Sequence, residues 1–289
     1  MTPVRLGAVG YLNARPLLFG LDRSPRFNIR YDLPSECARL LHGDEIDLGL
    51  IPSIEYLRGD SYRIVPDLAI ASRGPVASVA LFTKRPISDV RSIVMDTSSR
   101  TSVALVHVLC ARLFKIEPAI EAQSPDLNAM LARGDAALVI GDKALLWDPQ
   151  TVRLPSSPLR GYGAPGKVDT TSGAERSVQK IDLGEAWTSM TSLPFVWAFW
   201  AGRAGVLSAD DVTALQAARD AGANQSDAIA REYFLEAPQH RDLGARYLRD
   251  NIKYYLGGDE RAGLELFYRY AAEIGVVPTA SALRFYGRV

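Results

Sequence analysis

The chain has 289 residues, of which 47% are hydrophobic and 23% are charged, a composition typical of a folded globular protein rather than a disordered or collagen-like one. Its 33 basic and 33 acidic residues give a formal net charge of zero. It therefore lacks the positive field with which proteins hold nucleic acid or an anionic membrane surface. The longest apolar run, at 193–201, is much shorter than the about 20 residues of a membrane-spanning helix. We expect no nucleic-acid or membrane partner.

The start of the chain shows no basic segment followed by an apolar one, so the sequence predicts no secretory signal. Its two cysteines, Cys37 and Cys110, lie in separate amphipathic segments, which favours reduced thiols over a disulfide. These features predict a cytoplasmic protein. They do not indicate its oligomeric state.

Up to about residue 150, short apolar runs alternate with segments of helical periodicity, the pattern of an α/β fold with a largely parallel sheet. Strands are predicted at 4–9, 46–51, 63–71, 76–83, 92–95 and 136–140. Helices are predicted at 14–21, 35–42, 52–57, 102–114, 126–133 and 143–147. After a strand-like segment that starts at 193, the pattern becomes helical, with helices at 211–221, 226–235, 240–256 and 260–274. The residues from Ser208 to Asp211 resemble a capping box that opens the first of these.

The chain is long enough for two lobes. Pro86 interrupts a strand and a new βα unit follows, which indicates a boundary between 85 and 86, and the segment starting at 193 returns to the first lobe. We therefore predict one lobe formed by 1–85 plus 193–289 and another formed by 86–192. An excursion at about 154–180, rich in Pro, Gly, Ser and Thr, is predicted to be exposed. Two crossings between lobes imply a hinge and a ligand cleft.

Several polar residues lie near the ends of predicted strands, where such a cleft would collect them. They are Tyr11, Asn13, Ser53, Ser78, Gly141 and Asp142. Four of them have a simpler interpretation: Asn13, Ser53 and Asp142 can cap the next helix, and Ser78 can be an ordinary sheet hydroxyl. From spacing alone both interpretations stay open.

A cluster of hydroxyl groups follows the strand at 92–95 and precedes an apolar helix. It contains Ser98, Ser99, Arg100, Thr101 and Ser102. One hydroxyl is enough to cap a helix, so we favour a site where hydroxyls and backbone N–H groups at the positive end of the helix bind a carboxylate or phosphate.

Sequence patterns for metal, nucleotide and covalent chemistry are missing. No His, Cys, Asp or Glu set has zinc spacing, neither GxGxxG nor GxxxxGK[ST] occurs, and GxSxG is absent. The three histidines lie in helical patterns rather than in loops at strand ends. We predict no metal site and no cofactor, and a small anionic ligand bound by either a binding protein or a cleft enzyme.

Six ordered blocks spread over about 190 residues resemble the chorismate dehydratase family of the futalosine route to menaquinone, the MqnA family. The blocks are VGYLNARPL (9–17), DLGLIPSIEY (47–56), GPVASV (74–79), MDTSSRTSV (95–103), LVIGDKAL (138–145), and DLGEAW (182–187) with LPFVWAFW (193–200). The resemblance implies the two-lobed fold of type II periplasmic binding proteins in a cytoplasmic enzyme. The sister family, dihydroxynaphthoate synthase, typically opens with a Ser-Pro-Cys-Pro-Asn-Asp-like stretch that this sequence lacks.

The sequence departs from the family in two places. Gly10 replaces the Ser that commonly precedes Tyr-Leu-Asn, which puts a hydroxyl contact there in doubt. The excursion at 154–180 is longer than we expect of the family.

The resemblance implies elimination of water from chorismate, which carries two carboxylates, to give 3-[(1-carboxyvinyl)oxy]benzoate. We hypothesise that the enolpyruvyl carboxylate of the substrate takes the proton, with Asn13 orienting it and Ser78 assisting the leaving hydroxyl. Asp142 is the alternative base. Binding of the substrate is assigned to Tyr11, Ser53, Ser98, Ser99, Arg100, Thr101, Ser102 and Gly141. The rival functions are a non-catalytic binding protein for a small carboxylate and the sister synthase.

Overall fold

A computed structural model describes residues 2–59, 61–147 and 178–287. Its strands are β1 (Val4–Val9), β2 (Phe27–Asp32), β3 (Leu48–Pro52), β4 (Tyr62–Ile64), β5 (Ile70–Ser72), β6 (Val79–Thr83), β7 (Ser92–Met95), β8 (Ala119–Ala122), β9 (Ala136–Ile140), β10 (Gln179–Asp182) and β11 (Phe195–Arg203). Its α-helices are α1 (Pro34–His42), α2 (Arg100–Leu109), α3 (Leu127–Arg133), α4 (Gly141–Leu146), α5 (Leu183–Thr191), α6 (Ala209–Ala223), α7 (Ser226–Tyr233), α8 (Arg241–Arg246) and α9 (Gly258–Glu273). Most of the predicted excursion, 154–177, lies outside the described residues. Among the helices described, none is long and apolar enough to cross a membrane.

Shorter helical segments join these elements. Turns of 3₁₀ helix occur at Leu12–Leu18, Leu21–Arg23, Ser53–Arg58, Ile87–Asp89 and Pro238–His240. Turns of π helix extend α2 at Cys110–Phe114 and α8 at Tyr247–Asn251. The helix predicted at 14–21 is thus a tighter 3₁₀ turn with Pro16 inside it, because proline cannot donate the backbone hydrogen bond of a regular α-helix.

The first sheet has the strand order β2-β1-β3-β11-β4, with β5 also paired to β11. Strands β2 and β3 both run parallel to β1, whereas β11 runs antiparallel to β3, β4 and β5. The bulky strand that starts at 195 therefore returns to the first sheet. It is paired on both edges, with β3 on one side and β4 and β5 on the other, and nearly every residue in it is buried.

The second sheet has the order β10-β6-β9-β7-β8. Successive side chains along its strands point alternately into two apolar clusters, as expected when both faces of a sheet are covered. Leu81 and Leu138 face the large core shared with the first sheet, whereas Phe82 and Val139 pack on the other side with residues of α3.

The first crossing between the sheets lies at 73–78, earlier than the boundary at 85/86 indicated by the sequence. Strand β5 belongs to the first sheet, but β6 pairs with β9 and β10 in the second. Pro86 ends β6 without marking a change of sheet. The backbone turns instead at Gly74 and Ala77, both of which have a positive φ. We therefore propose that the first lobe ends before Val79 rather than at residue 85.

The C-terminal helices complete the first lobe. The predicted capping box at the start of α6 is confirmed: the Ser208 hydroxyl accepts the Asp211 N–H at 3.2 Å, and the Asp211 carboxylate accepts the Ser208 N–H at 2.9 Å. The segment that follows α8 brings Tyr247 against the hinge, where its hydroxyl reaches Ser78. These helices thus form part of the wall behind the cleft.

Candidate active site

A small cavity of about 50 Å³ lies where the two sheets meet. The carboxyl ends of β1, β3 and β9, the start of β6 and the first turn of α2 all contribute to it. The end of parallel strands is the usual ligand position in open α/β sheets. Six residues predicted for the site line this cavity: Tyr11, Asn13, Ser78, Ser99, Ser102 and Gly141. The cavity is smaller than the about 300–1,000 Å³ of common ligand pockets, so this arrangement of the two sheets leaves little room for a ligand.

The cavity brings together two of the three residues predicted to be catalytic, Asn13 and Ser78. The hydroxyl of Tyr247 donates a hydrogen bond to the Ser78 hydroxyl at 2.7 Å. Ser78 and Tyr247 are each only 1% exposed. Burial raises the pKa of Tyr247 well above the usual value of a tyrosine, so its hydroxyl stays protonated. Asn13 and Ser78, far apart in the chain, thus line the same cavity, where Ser78 is bonded to Tyr247.

The first turn of α2 supplies a second part of the cavity wall, at the positive end of this helix. Ser99 caps the helix by accepting the Ser102 N–H at 3.4 Å, and the Ser102 hydroxyl donates to the Ser99 oxygen at 3.0 Å. Both side chains line the cavity. Because the positive end of a helix attracts anions, this turn can hold a carboxylate.

The rest of the hydroxyl cluster points elsewhere. Ser98 turns back to Asp96, to whose carboxylate its hydroxyl donates at 2.6 Å. Thr101 accepts the Ile54 N–H at 3.2 Å and lies 3.3 Å from the Ser53 hydroxyl, which itself donates to the Val196 carbonyl oxygen. Successive residues of a helix point about 100° apart, so α2 divides Ser99 and Ser102 from Arg100 and Thr101.

Arg100 joins a cluster of partly exposed basic side chains around one buried carboxylate. Its guanidinium contacts the fully buried carboxylate of Glu55 at 2.7 Å, and the same carboxylate lies 3.1 Å from His42 and 3.4 Å from Arg58. Burial would raise the pKa of Glu55, but the His42 hydrogen bond and the two guanidinium charges together hold this pKa below its ordinary value. Arg100 therefore connects the lobes rather than facing the cavity.

Gly141, directly after β9, lies against the ring of Tyr11. Gly141 has a φ of +68°, and a Cβ atom there would lie 3.0 Å from the Tyr11 ring. Burial raises the pKa of Tyr11, although a hydrogen bond with Ser98 opposes the shift. A side chain at position 141 would therefore meet this aromatic wall.

Asp142 lies beside the cavity without lining it. Its carboxylate accepts the Leu12 N–H at 3.2 Å and a hydrogen bond from the Tyr233 hydroxyl, which also reaches the Gly10 carbonyl oxygen at 3.1 Å. Burial raises the pKa of Asp142 against the opposing effect of these bonds and of Arg15. Asp142 thus links the second sheet to the turn that carries Asn13.

Sequence reasoning did not identify Tyr247 or Trp197 as parts of this site. Tyr247 stands in an amphipathic helical segment where a buried tyrosine is ordinary, and Trp197 is one aromatic residue among several in β11. The Trp197 indole donates to the Ser72 hydroxyl at 3.1 Å. In the described parts of the chain, no group of three or more His, Cys, Asp and Glu residues is placed to hold a metal ion.

Residues 4–273 match the menaquinone biosynthesis family. The chain belongs to this family. Among curated proteins, the chorismate dehydratase of Thermus thermophilus is 32% identical over 269 residues, which cover 92% of this chain and 94% of that protein.

Solved structures similar to this menaquinone biosynthesis family member share its fold. A protein from Archaeoglobus fulgidus aligns with a TM-score of 0.68 and 16% identity, covering 96% of this chain and 99% of that one. The alkanesulfonate-binding protein of Xanthomonas axonopodis pv. citri, bound to MOPS, aligns with a TM-score of 0.62 and 14% identity, covering 97% and 96%. The periplasmic aliphatic sulphonate binding protein of Escherichia coli aligns with a TM-score of 0.58 and 15% identity, covering 97% of this chain and 95% of that one. The predicted fold, that of the periplasmic binding proteins, is confirmed.

Proposed function

We propose that this protein is a cytoplasmic chorismate dehydratase, which converts chorismate to 3-[(1-carboxyvinyl)oxy]benzoate and water. The observation that carries the proposal is that Asn13 and Ser78 line one cavity together with Ser99 and Ser102 at the positive end of α2. The relative from Thermus thermophilus, with its 32% identity, supports the same reaction. No metal or redox step is required, because loss of water makes the ring aromatic.

The reaction breaks two bonds of the cyclohexadiene ring. A proton leaves the carbon that bears the enolpyruvyl ether, and its bonding electrons delocalise toward the ring carboxylate. The adjacent hydroxyl then departs with a proton as water, and the electrons form the last double bond of the benzene ring. The protein has to hold two anions, stabilise the transient negative charge and help the hydroxyl leave.

Ser99 and Ser102 would bind one carboxylate at the start of α2, aided by the backbone N–H groups there. Asn13 would orient the enolpyruvyl carboxylate so that it takes the ring proton, while Ser78 would donate a hydrogen bond to the departing hydroxyl. Tyr11 and Trp197 supply aromatic walls for the ring. Substituting Ser99 or Ser102 by Ala should therefore mainly raise KM.

Asp142 is the alternative base. Its raised pKa suits a group that takes a proton, but both of its oxygens already accept hydrogen bonds from the first lobe. Since a base must reach the proton it removes, these bonds favour the substrate carboxylate.

A second candidate function, a non-catalytic carboxylate-binding protein, is favoured by the fold shared with the sulfonate-binding proteins. The two functions separate when the purified protein is incubated with chorismate, without added metal or nucleotide, and the products are followed by mass spectrometry. We expect a product lighter by one water, with a benzenoid ultraviolet spectrum and a rate proportional to enzyme. Tight binding of unchanged chorismate would instead support the binding protein, and a Ser78→Ala sample controls for spontaneous decay.

A further inference from the structure

We propose that Tyr247 is a positioning residue that sets the direction of the Ser78 hydroxyl for the elimination of water. The inference rests on the proposed dehydratase function and adds to it a residue from the C-terminal helices. Tyr247 lies outside all six sequence blocks that resemble the chorismate dehydratases.

The hydrogen bond between Tyr247 and Ser78 has the tyrosine hydroxyl as its donor. A tyrosine hydroxyl has a single proton, and that proton goes to the Ser78 oxygen at 2.7 Å. The Asn13 side chain is close enough to this phenol to lower its pKa. The proton of Ser78 is left free to point into the cavity, toward a leaving hydroxyl.

The surroundings of Tyr247 hold this arrangement in place. The side chain is 1% exposed, so water cannot compete for its hydroxyl. It begins the π turn Tyr247–Asn251 that ends α8, and single π turns within helices are frequent at functional sites. Asn251, the last residue of this turn, donates from its side chain to the Pro75 carbonyl oxygen at 2.9 Å. The same turn is therefore also bonded to the hinge.

Tyr254 provides a matched control. It is also buried, at 3% exposure, but its hydroxyl has no hydrogen-bond partner in the described part of the chain. Tyr254→Phe therefore removes the same atom from a neighbouring buried site without affecting Ser78 or Asn13.

The test compares kcat and KM for chorismate in the wild-type protein, Tyr247→Phe, Ser78→Ala, the double variant and Tyr254→Phe. We expect Tyr247→Phe to lower kcat about tenfold, the scale of one lost hydrogen bond, with KM nearly unchanged. In the Ser78→Ala background the same substitution should have little further effect, because the hydroxyl that it orients is gone. Tyr254→Phe should keep wild-type kcat.

Several results would overturn the proposal. One is an unchanged kcat in Tyr247→Phe. Another is that Tyr247→Phe lowers kcat by the same factor in the wild-type and Ser78→Ala backgrounds. A third is that Tyr254→Phe lowers kcat as much as Tyr247→Phe does. A wild-type protein that fails to turn over chorismate would remove the dehydratase function and this role together. An active wild type with a silent Tyr247→Phe would remove only the role of Tyr247.

Discussion

The carboxylate of Asp182 accepts the backbone N–H of Ala77 at 2.6 Å, one residue before Ser78. The same carboxylate accepts the Val76 N–H at 3.0 Å and caps α5 through Gly184 and Glu185. Ala77 has a φ of +63°, a conformation that is strained for alanine. One side chain thus holds the hinge in the shape that aims Ser78 at the cavity.

We expect Asp182→Ala to lower both stability and turnover. Loss of the cap and of the two hinge bonds should reduce the free energy of unfolding by about 2–3 kcal/mol, measured by urea denaturation. Turnover should fall because Ser78 loses its fixed position.

The control for Asp182 is Asp126→Ala, which removes another helix cap. Asp126 accepts the Ala129 N–H at 3.0 Å at the start of α3, away from the hinge. The Asp126→Ala protein should lose stability and keep the wild-type kcat. An Asp182→Ala protein with wild-type kcat would show that the hinge does not depend on this carboxylate.

Gly141→Ala should raise KM for chorismate. The positive φ of Gly141 makes any side chain strained by about 1 kcal/mol, and the new Cβ would press on the Tyr11 ring at the cavity wall. Gly275→Ala introduces alanine at a similar φ of +76° with no atom within 4 Å. The two variants should be similarly destabilised, but only Gly141→Ala should affect KM. Equal KM values would exclude a role for the Tyr11 contact in binding.

Glu55 should make the stability of the protein sensitive to acid. Its folded-state pKa lies below the ordinary value of 4.5, so its contribution is complete above pH 4.5 and is lost as the pH falls through the folded-state pKa. At pH 7 we expect Glu55→Gln to lower the free energy of unfolding by about 1–3 kcal/mol, because it leaves Arg100 and Arg58 without their buried partner.

Urea denaturation between pH 7 and pH 3.5 tests this dependence. The difference between the wild type and Glu55→Gln should shrink on acidification. Glu36→Gln, at an exposed ion pair with Arg39, should change stability little at any pH. A difference that stays constant down to pH 3.5 would mean that Glu55 is not the titrating group.

Both thiols should be unreactive in the folded protein. Burial raises the pKa of Cys37 to about 12 and that of Cys110 to about 11, so almost no thiolate forms near pH 8. Titration with a disulfide reagent at pH 8 should detect no rapidly reacting thiol in the native state and both thiols in urea. Rapid modification of either native cysteine would contradict the packing around it.

Part of the fold and site could be predicted from the sequence because apolar runs and strand-end polar residues are local signals. Asn13, Ser78 and Gly141 were selected in this way, and all three line the cavity. The division of the hydroxyl cluster could not be predicted, since it depends on how α2 is rotated against its neighbours. That rotation directs Thr101 to Ser53.

Other features depend on contacts between distant parts of the chain. The first crossing was assigned to Pro86 because a proline ends a strand, but which sheet β6 joins is decided by its pairing with β9 and β10. The strand β8 has only four residues and is exposed throughout, so no alternation of buried and exposed residues marks it. Tyr247 reaches Ser78 across 169 positions of sequence, and nothing local distinguishes it from a core tyrosine.

The most direct test of the account is the kcat of Asn13→Ala, Ser78→Ala and Asp142→Asn with chorismate. We predict a fall of about 100-fold or more in the first two, the scale of lost proton-transfer and charge-stabilising groups. Asp142→Asn keeps an oxygen that can accept the Leu12 N–H, and its kcat should stay within about tenfold of the wild type. Wild-type kcat in both Asn13→Ala and Ser78→Ala, together with complete loss of turnover in Asp142→Asn, would contradict the account.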